Sequence, residues 1–279
     1  KQHLCRCTGY IKIVDAIEMM AKVKRGETLP PGDDSGHVGT PLDRYRAREF
    51  ALGDWRYIDD IVVDGALYAA MRFSDHPRAL VKRIDKTAAE RIPGVHAVYT
   101  ADDVPGDRYV GLIVKDWPIL VAPGEETRCV GDILAVVVAE DQHIARKAAA
   151  ALEIDYEVRK PLATTGEALA VDAPKIHPNG NLLSTSKIKF GDVEEALHQS
   201  AHVIHDEFQT QSIEHMFLEP EACIAVPEEK GGLAGLYIYT QGQGVFDDRR
   251  QIASVLGWEE GQLDVELISN GGAFGGKED

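Results

Sequence analysis

Asn270-Gly271-Gly272-Ala273-Phe274-Gly275-Gly276-Lys277-Glu278-Asp279 places four glycines around one aromatic residue, followed by a lysine and two acids. Glycine tolerates positive φ and lets a backbone N–H approach a ligand with no Cβ in the way. The run therefore reads as a turn facing a polar or anionic group, with Phe274 as an apolar wall and Glu278 as a polar reader. Leu263 to Ile268 precedes it as a strand. Gly271, Gly276 and Lys277 fit a G-x-x-x-x-G-K frame, but Glu278 stands where a nucleotide-triphosphate loop needs Ser or Thr for Mg²⁺. A dinucleotide fingerprint is out of phase, and no βαβ unit is expected to enclose it.

Upstream of that strand, Thr240-Gln241-Gly242-Gln243-Gly244-Val245-Phe246 reads as a strand end opening into a helix from about Asp247 to Leu256. Its two amides and free helix-start N–H groups suit a polar ring ligand; a plain glycine-rich strand-to-helix turn is the alternative. Ala222 to Val226 and Leu236 to Thr240 are expected strands, joined by a turn over Glu228 to Gly232. Ala201 to Thr210 alternates and is expected as a strand, preceded by a helix that starts at Gly191-Asp192-Val193. Between them, Glu214-His215-x3-Glu219 holds two carboxylates and a histidine. It lacks the paired histidines of a helical metal motif and is read as a polar turn.

From Trp55 onward the pattern is that of a compact α+β domain. Leu67 to Phe73, Ala79 to Asp85, Val95 to Tyr99, Asp132 to Ala139 and Ile154 to Val158 are the expected strands. Lys86 to Arg91 and the alanine-rich Asp141 to Leu152 are the helices. His76 sits before Pro77 and is expected as an exposed turn residue. Cys129 and Cys223, alone in apolar runs, read as buried small hydrophobes.

At the other end, Tyr10 to Lys24 carries apolar residues at helical spacing and is closed by Gly26. Residues 25–55 are linker-like, with a short helix over Arg44 to Glu49. Cys5-x-Cys7 precedes the helix. Two thiolates one residue apart cannot enclose a metal alone, so the pair is either half an iron–sulfur site or structural. The cysteine usage suggests a reducing, cytoplasmic compartment.

Of the 279 residues, 44% are apolar and 27% charged, as in ordinary globular proteins, and the net charge is −16. Such a charge disfavours nucleic acid and anionic membrane as partners. No apolar run approaches the roughly 18 residues of a transmembrane helix.

Three sets of residues together resemble the molybdenum hydroxylase family of xanthine dehydrogenases and aldehyde oxidases. Cys5-Arg6-Cys7-Thr8-Gly9-Tyr10 is similar to the second cysteine pair of that family's helical [2Fe-2S] domain. Trp55 through Pro161, with stations at Ile92-Pro93-Gly94-Val95 and Val130-Gly131-Asp132, resembles its α/β hammerhead domain. Phe217-Leu218-Glu219-Pro220, Thr240-Gln241 and the terminal glycine run are similar to the opening of its molybdopterin-binding domain. The resemblance implies an α+β chain: residues 1–25 ending a [2Fe-2S] domain, a linker over 26–54, a hammerhead domain over 55–162, and the start of a molybdopterin-binding domain over 163–279.

It further implies hydroxylation of a purine such as xanthine or hypoxanthine with water-derived oxygen. An aldehyde-oxidising relative and a non-catalytic scaffold are the alternatives. Carried onto this chain, Cys5 and Cys7 would ligate iron and Gln241 would hydrogen-bond near the molybdenum. Gly272, Phe274 and Gly275 would contact the cofactor, and Glu278 would read the substrate, tilting it towards purines. The implied cofactors are molybdopterin with molybdenum, a [2Fe-2S] cluster, and FAD in a separate domain or chain. The implied partners are the iron–sulfur and flavin modules and the remainder of the molybdopterin domain, with a homodimer as one allowed assembly. No second cysteine pair accompanies Cys5 and Cys7, and Ala273 replaces a usual glycine, so the chain is expected to be a piece of an enzyme.

Overall fold

The computed structural model describes residues 9–29, 31–33, 35–40, 42–213 and 215–278. The fold is α+β. The chain divides into two compact units, one of Gly65–Glu214 with Val255–Gly257, the other of Lys1–Asp64, His215–Ser254 and Trp258–Asp279. No helix among the described residues is long and apolar enough to cross a membrane.

Helix α1 (Ile11–Lys24) has the expected span, and Gly26 follows it in the left-handed conformation at φ 88°. Helix α2 (Ala47–Leu52) lies a few residues beyond its expected place and ends at Gly53. Cys5 and Cys7 lie outside the described residues.

The Gly65–Glu214 unit follows in chain order as β1 (Tyr68–Phe73), β2 (Ala79–Asp85), α3 (Thr87–Glu90), β3 (Val95–Tyr99), β4 (Tyr109–Val110), β5 (Trp117–Pro118), β6 (Ile133–Ala139), α4 (Gln142–Ala150), β7 (Glu153–Val158), α5 (Thr165–Ala168) and α6 (Val193–Gln199). Strand β6 is central. It pairs antiparallel with β1 and β3, matching Val136 to both Met71 and Tyr99. A continuous apolar run marks a strand buried on both faces, and β6 has that surrounding. Ala135 and Val137 pack with Ala148, Ala149 and Leu152 at α4, while Leu134 packs with Val81 and Val121 beside Ile154 and Tyr156. The small alanines let the α4 backbone lie close to the sheet.

Three expectations in this unit change. Ala201 to Thr210 forms no strand and is exposed throughout. Alternation specifies a half-buried face, but a strand also needs a neighbour for its N–H and C=O groups, and none pairs there among the described residues. His76 is in a turn but half-buried, meeting Tyr156 edge-on at 5.0 Å. Cys129 is only partly buried.

In the second unit the chain continues as β8 (Cys223–Lys230), β9 (Leu233–Thr240), α7 (Val245–Leu256) and β10 (Leu263–Leu267). Cys223 is exposed rather than buried. Strands β8 and β9 form an antiparallel hairpin whose turn is only Gly231-Gly232, both at positive φ of 59° and 81°. Two consecutive positive-φ residues match the twist of the flanking strands, so both strands run longer than expected. Strand β10 lies parallel to β9, with α7 as the crossover. A βαβ unit is thus present, ahead of the glycine run rather than around it.

Candidate functional site

Thr240 closes β9 opposite Cys223 of β8 and Leu267 of β10. The antiparallel and parallel pairings therefore bring three irregular segments to one edge of the sheet. These are residues 215–222 before β8, 241–244 after β9 and 268–278 after β10. In open α/β sheets, ligands sit outside the carboxyl ends of parallel strands, and two such ends lie here.

The glycine run is held by side chains from the other two segments together with bonds inside its own segment. Gly271 N–H donates to the Glu219 carboxylate at 2.5 Å, and Gly272 N–H to the Asn270 side chain at 2.8 Å. Gly275 and Lys277 N–H groups both donate to Gln243 Oε1, at 3.1 and 3.3 Å. Gly276 N–H returns to Ala273 O at 2.9 Å. Most N–H groups of the run already have protein acceptors, so the run is a braced turn and not an open phosphate cradle.

Lys277 explains the inner side. It is 3% exposed, and its Nζ donates to Glu219 O at 3.0 Å and to Gln241 Oε1. The Glu219 carboxylate lies 3.6 Å from Nζ and the Phe217 ring centroid 4.5 Å away. A buried charge needs a partner and hydrogen bonds, and this ammonium has both. Gln241 is 2% exposed, with Nε2 donating to Pro220 O at 2.8 Å and Ala222 O at 3.4 Å. The lysine thus knits the segments together from inside instead of reaching a phosphate.

Steric demands account for two of the glycines. A Cβ at Gly276 would lie 2.9 Å from the His215 ring and 3.0 Å from the Phe217 ring. At Gly271 it would meet Glu219 Cβ at 2.5 Å. Beside the turn, Asp248 of α7 accepts from Thr240 Oγ1 at 3.3 Å, and burial pushes its carboxyl above the usual range. Ser269 Oγ, at the root of the turn, is buried with no hydrogen-bond partner among the described residues.

The outer face is different in character. Phe274 is 49% exposed at φ 55°, and Gly275, Gln243 and Glu278 are exposed. An aromatic ring, a stretch of bare peptide and two polar side chains fit a planar group with a polar edge. Of the residues read from sequence, Gln241, Gly272, Phe274, Gly275 and Glu278 thus fall in one locality, Gln241 inside and Phe274, Gly275 and Glu278 outside. Glu219, Gln243 and Lys277 were not singled out for these roles. The only signal for Glu219 and Lys277 was their place inside quoted motifs. Among the described residues no group of three His, Cys, Asp or Glu side chains is arranged to hold a metal ion, and Glu214 lies outside them.

Comparison with known proteins agrees with this architecture. Residues 52–160 match the family model for the aldehyde oxidase and xanthine dehydrogenase a/b hammerhead domain, and residues 176–279 match the molybdopterin cofactor-binding domain. A probable xanthine dehydrogenase component of Bacillus subtilis is 32% identical over 81% of this chain and 30% of its own length. The nicotinate dehydrogenase large molybdopterin subunit of Eubacterium barkeri is 31% identical over 89% of this chain and 57% of its own. The aldehyde oxidoreductase of Desulfovibrio gigas superposes with a TM-score of 0.81 at 29% identity, over 96% of this chain and 31% of the enzyme. The chain belongs to the molybdenum hydroxylase family, a family of oxidoreductases that includes xanthine dehydrogenases and aldehyde oxidoreductases. It spans about a third of the length of the Bacillus and Desulfovibrio relatives.

Proposed function

We propose that this chain contributes one wall of the active site of a molybdenum-cofactor oxidoreductase that hydroxylates a purine such as xanthine or hypoxanthine. The observation that carries the reading is the exposed Glu278 beside exposed Phe274 at the edge where three segments converge. Gly272, Phe274 and Gly275 would hold the cofactor on the outer face, and Gln241 would brace that face from within. Glu278 would hydrogen-bond the ring edge of the substrate and orient it. When bound, a molybdenum cofactor supplies two-electron oxidation with oxygen drawn from water.

The proposed organisation assigns residues 1–25 to a [2Fe-2S] domain with Cys5 and Cys7 as ligands, 55–162 to the hammerhead and 163–279 to the molybdopterin domain. Electrons would leave through iron–sulfur and flavin modules, in a cytoplasmic assembly. Likeness to an aldehyde oxidoreductase favours aldehydes as the second reading.

Glu278→Ala separates the two. Losing a partner for a polar ring atom costs roughly 1–3 kcal/mol, so the variant should lose far more kcat/KM on xanthine than on a simple aldehyde, measured on the enzyme that carries this chain. Equal losses on both substrates would contradict the purine reading. Absence of molybdenum from the purified assembly, with neither substrate turned over, would sink both in favour of a non-catalytic scaffold.

A further inference from the structure

Gln243 lies between β9 and α7, and its side chain reaches across to the glycine turn. Its Oε1 takes the N–H groups of Gly275 and Lys277 at 3.1 and 3.3 Å, and its backbone N–H donates to Lys277 O at 2.7 Å. A carboxamide oxygen has two lone pairs, which matches these two donors. The residue ahead of them, Phe274, holds φ at 55°, a region that non-glycine residues occupy only when the surroundings impose it. Within the run itself, the bond from Gly276 N–H to Ala273 O closes this bend. Gln243 is the external brace on its far side.

We propose that Gln243 is a positioning residue that sets the Phe274–Gly275 turn through the acceptor oxygen of its amide. The role in cofactor binding rests on the reading of that turn as a cofactor wall. The amide oxygen is the working atom, so the side chain that matters is one with an acceptor at this distance. Glutamate has the same reach and keeps an acceptor. Methionine has comparable length and lacks a strong one.

The test uses the isolated enzyme that carries this chain, with its other modules, as wild type, Gln243→Met and Gln243→Glu. Hydrogen exchange of the amides across residues 271–278, molybdenum per protein, and kcat and KM are measured on each. In Gln243→Met the Gly275 and Lys277 amides should exchange about tenfold faster, as loss of a hydrogen bond permits. Molybdenum content or kcat should fall with them, while KM stays within about twofold. Gln243→Glu should restore slow exchange and molybdenum content. Unchanged exchange in Gln243→Met, or equal acceleration in both variants, overturns the proposal. If Gln243→Met does not accumulate, Gln243→Asn replaces it, keeping the amide but one methylene shorter, with the same accelerated exchange expected. If the exchange pattern holds but the wild type contains no molybdenum, the brace stands and the functional reading falls.

Discussion

Lys277 carries the strongest residue-level constraint in the candidate site. It is 3% exposed and shares donors among Glu219 O, the Glu219 carboxylate and Gln241 Oε1. Removing one member of a buried charged pair leaves the other uncompensated and costs about 3–5 kcal/mol; with Glu219 partly exposed, the lower end applies. Lys277→Met should therefore lower stability by about 3 kcal/mol, read from the denaturant midpoint of the protein carrying this chain, and a loss below about 1 kcal/mol would argue against the network. The outer residues were legible from composition, because an aromatic among glycines next to an acid is a local pattern. Lys277 was legible only as part of a failed phosphate-loop frame. Its partners lie 36 and 58 residues away, far outside any window of helix or strand length.

At the level of elements, periodicity and flanking breakers were enough for β2, β3 and α1, whose ends agree with expectation within a residue. Helix α4 shows why. Asp141 caps it, accepting from Ile144 N–H at 2.8 Å, and Ala145, Ala148 and Ala149 form the buried stripe. Cap and stripe are both sequence features. Asp141→Ala should cost about 1 kcal/mol and Asp141→Ser much less, measured by thermal unfolding of the same protein. Equal effects would mean that the cap bond is not what counts. The segment Ala201 to Thr210 fails for a complementary reason. A strand's existence depends on a neighbour, and the sequence records the alternation without recording whether a neighbour is there. The glycine hairpin was found, but its two-residue length depends on both glycines taking positive φ.

For the whole molecule, charge and pH come forward. In the hammerhead unit, burial alone would raise the Glu125 carboxyl, yet the Arg108 guanidinium, Ala122 N–H and Tyr109 hydroxyl together hold it at about 2. A carboxyl whose folded value lies below its ordinary 4.5 contributes stability that is fully present above that value. That contribution is lost as pH falls from about 4.5 towards about 2. Thermal midpoints taken across that window should decline, and Glu125→Gln should flatten part of the decline while lowering the midpoint at neutral pH. A slope identical in the variant would assign the acid sensitivity to other carboxylates. The fold class was readable at this scale from element order alone. The division into units was not, because residues 215–254 and 258–279 group with the first 64 residues rather than with their immediate predecessors.

Beyond its two local bonds, from Gly272 N–H to Asn270 and from Gly276 N–H to Ala273 O, the turn at residues 271–278 is fastened by distant chain. Glu219 reaches Gly271 over 52 residues and Gln243 reaches Gly275 over 32. Each such bond closes a long loop, whose entropy must be met before the contact returns anything. The turn therefore has little order of its own and takes its shape only after the hairpin and the crossover helix are in place. Folding kinetics should therefore show it forming late, and changes that loosen β8, β9 or the start of α7 should raise amide exchange at this edge of the sheet before they unfold the sheet.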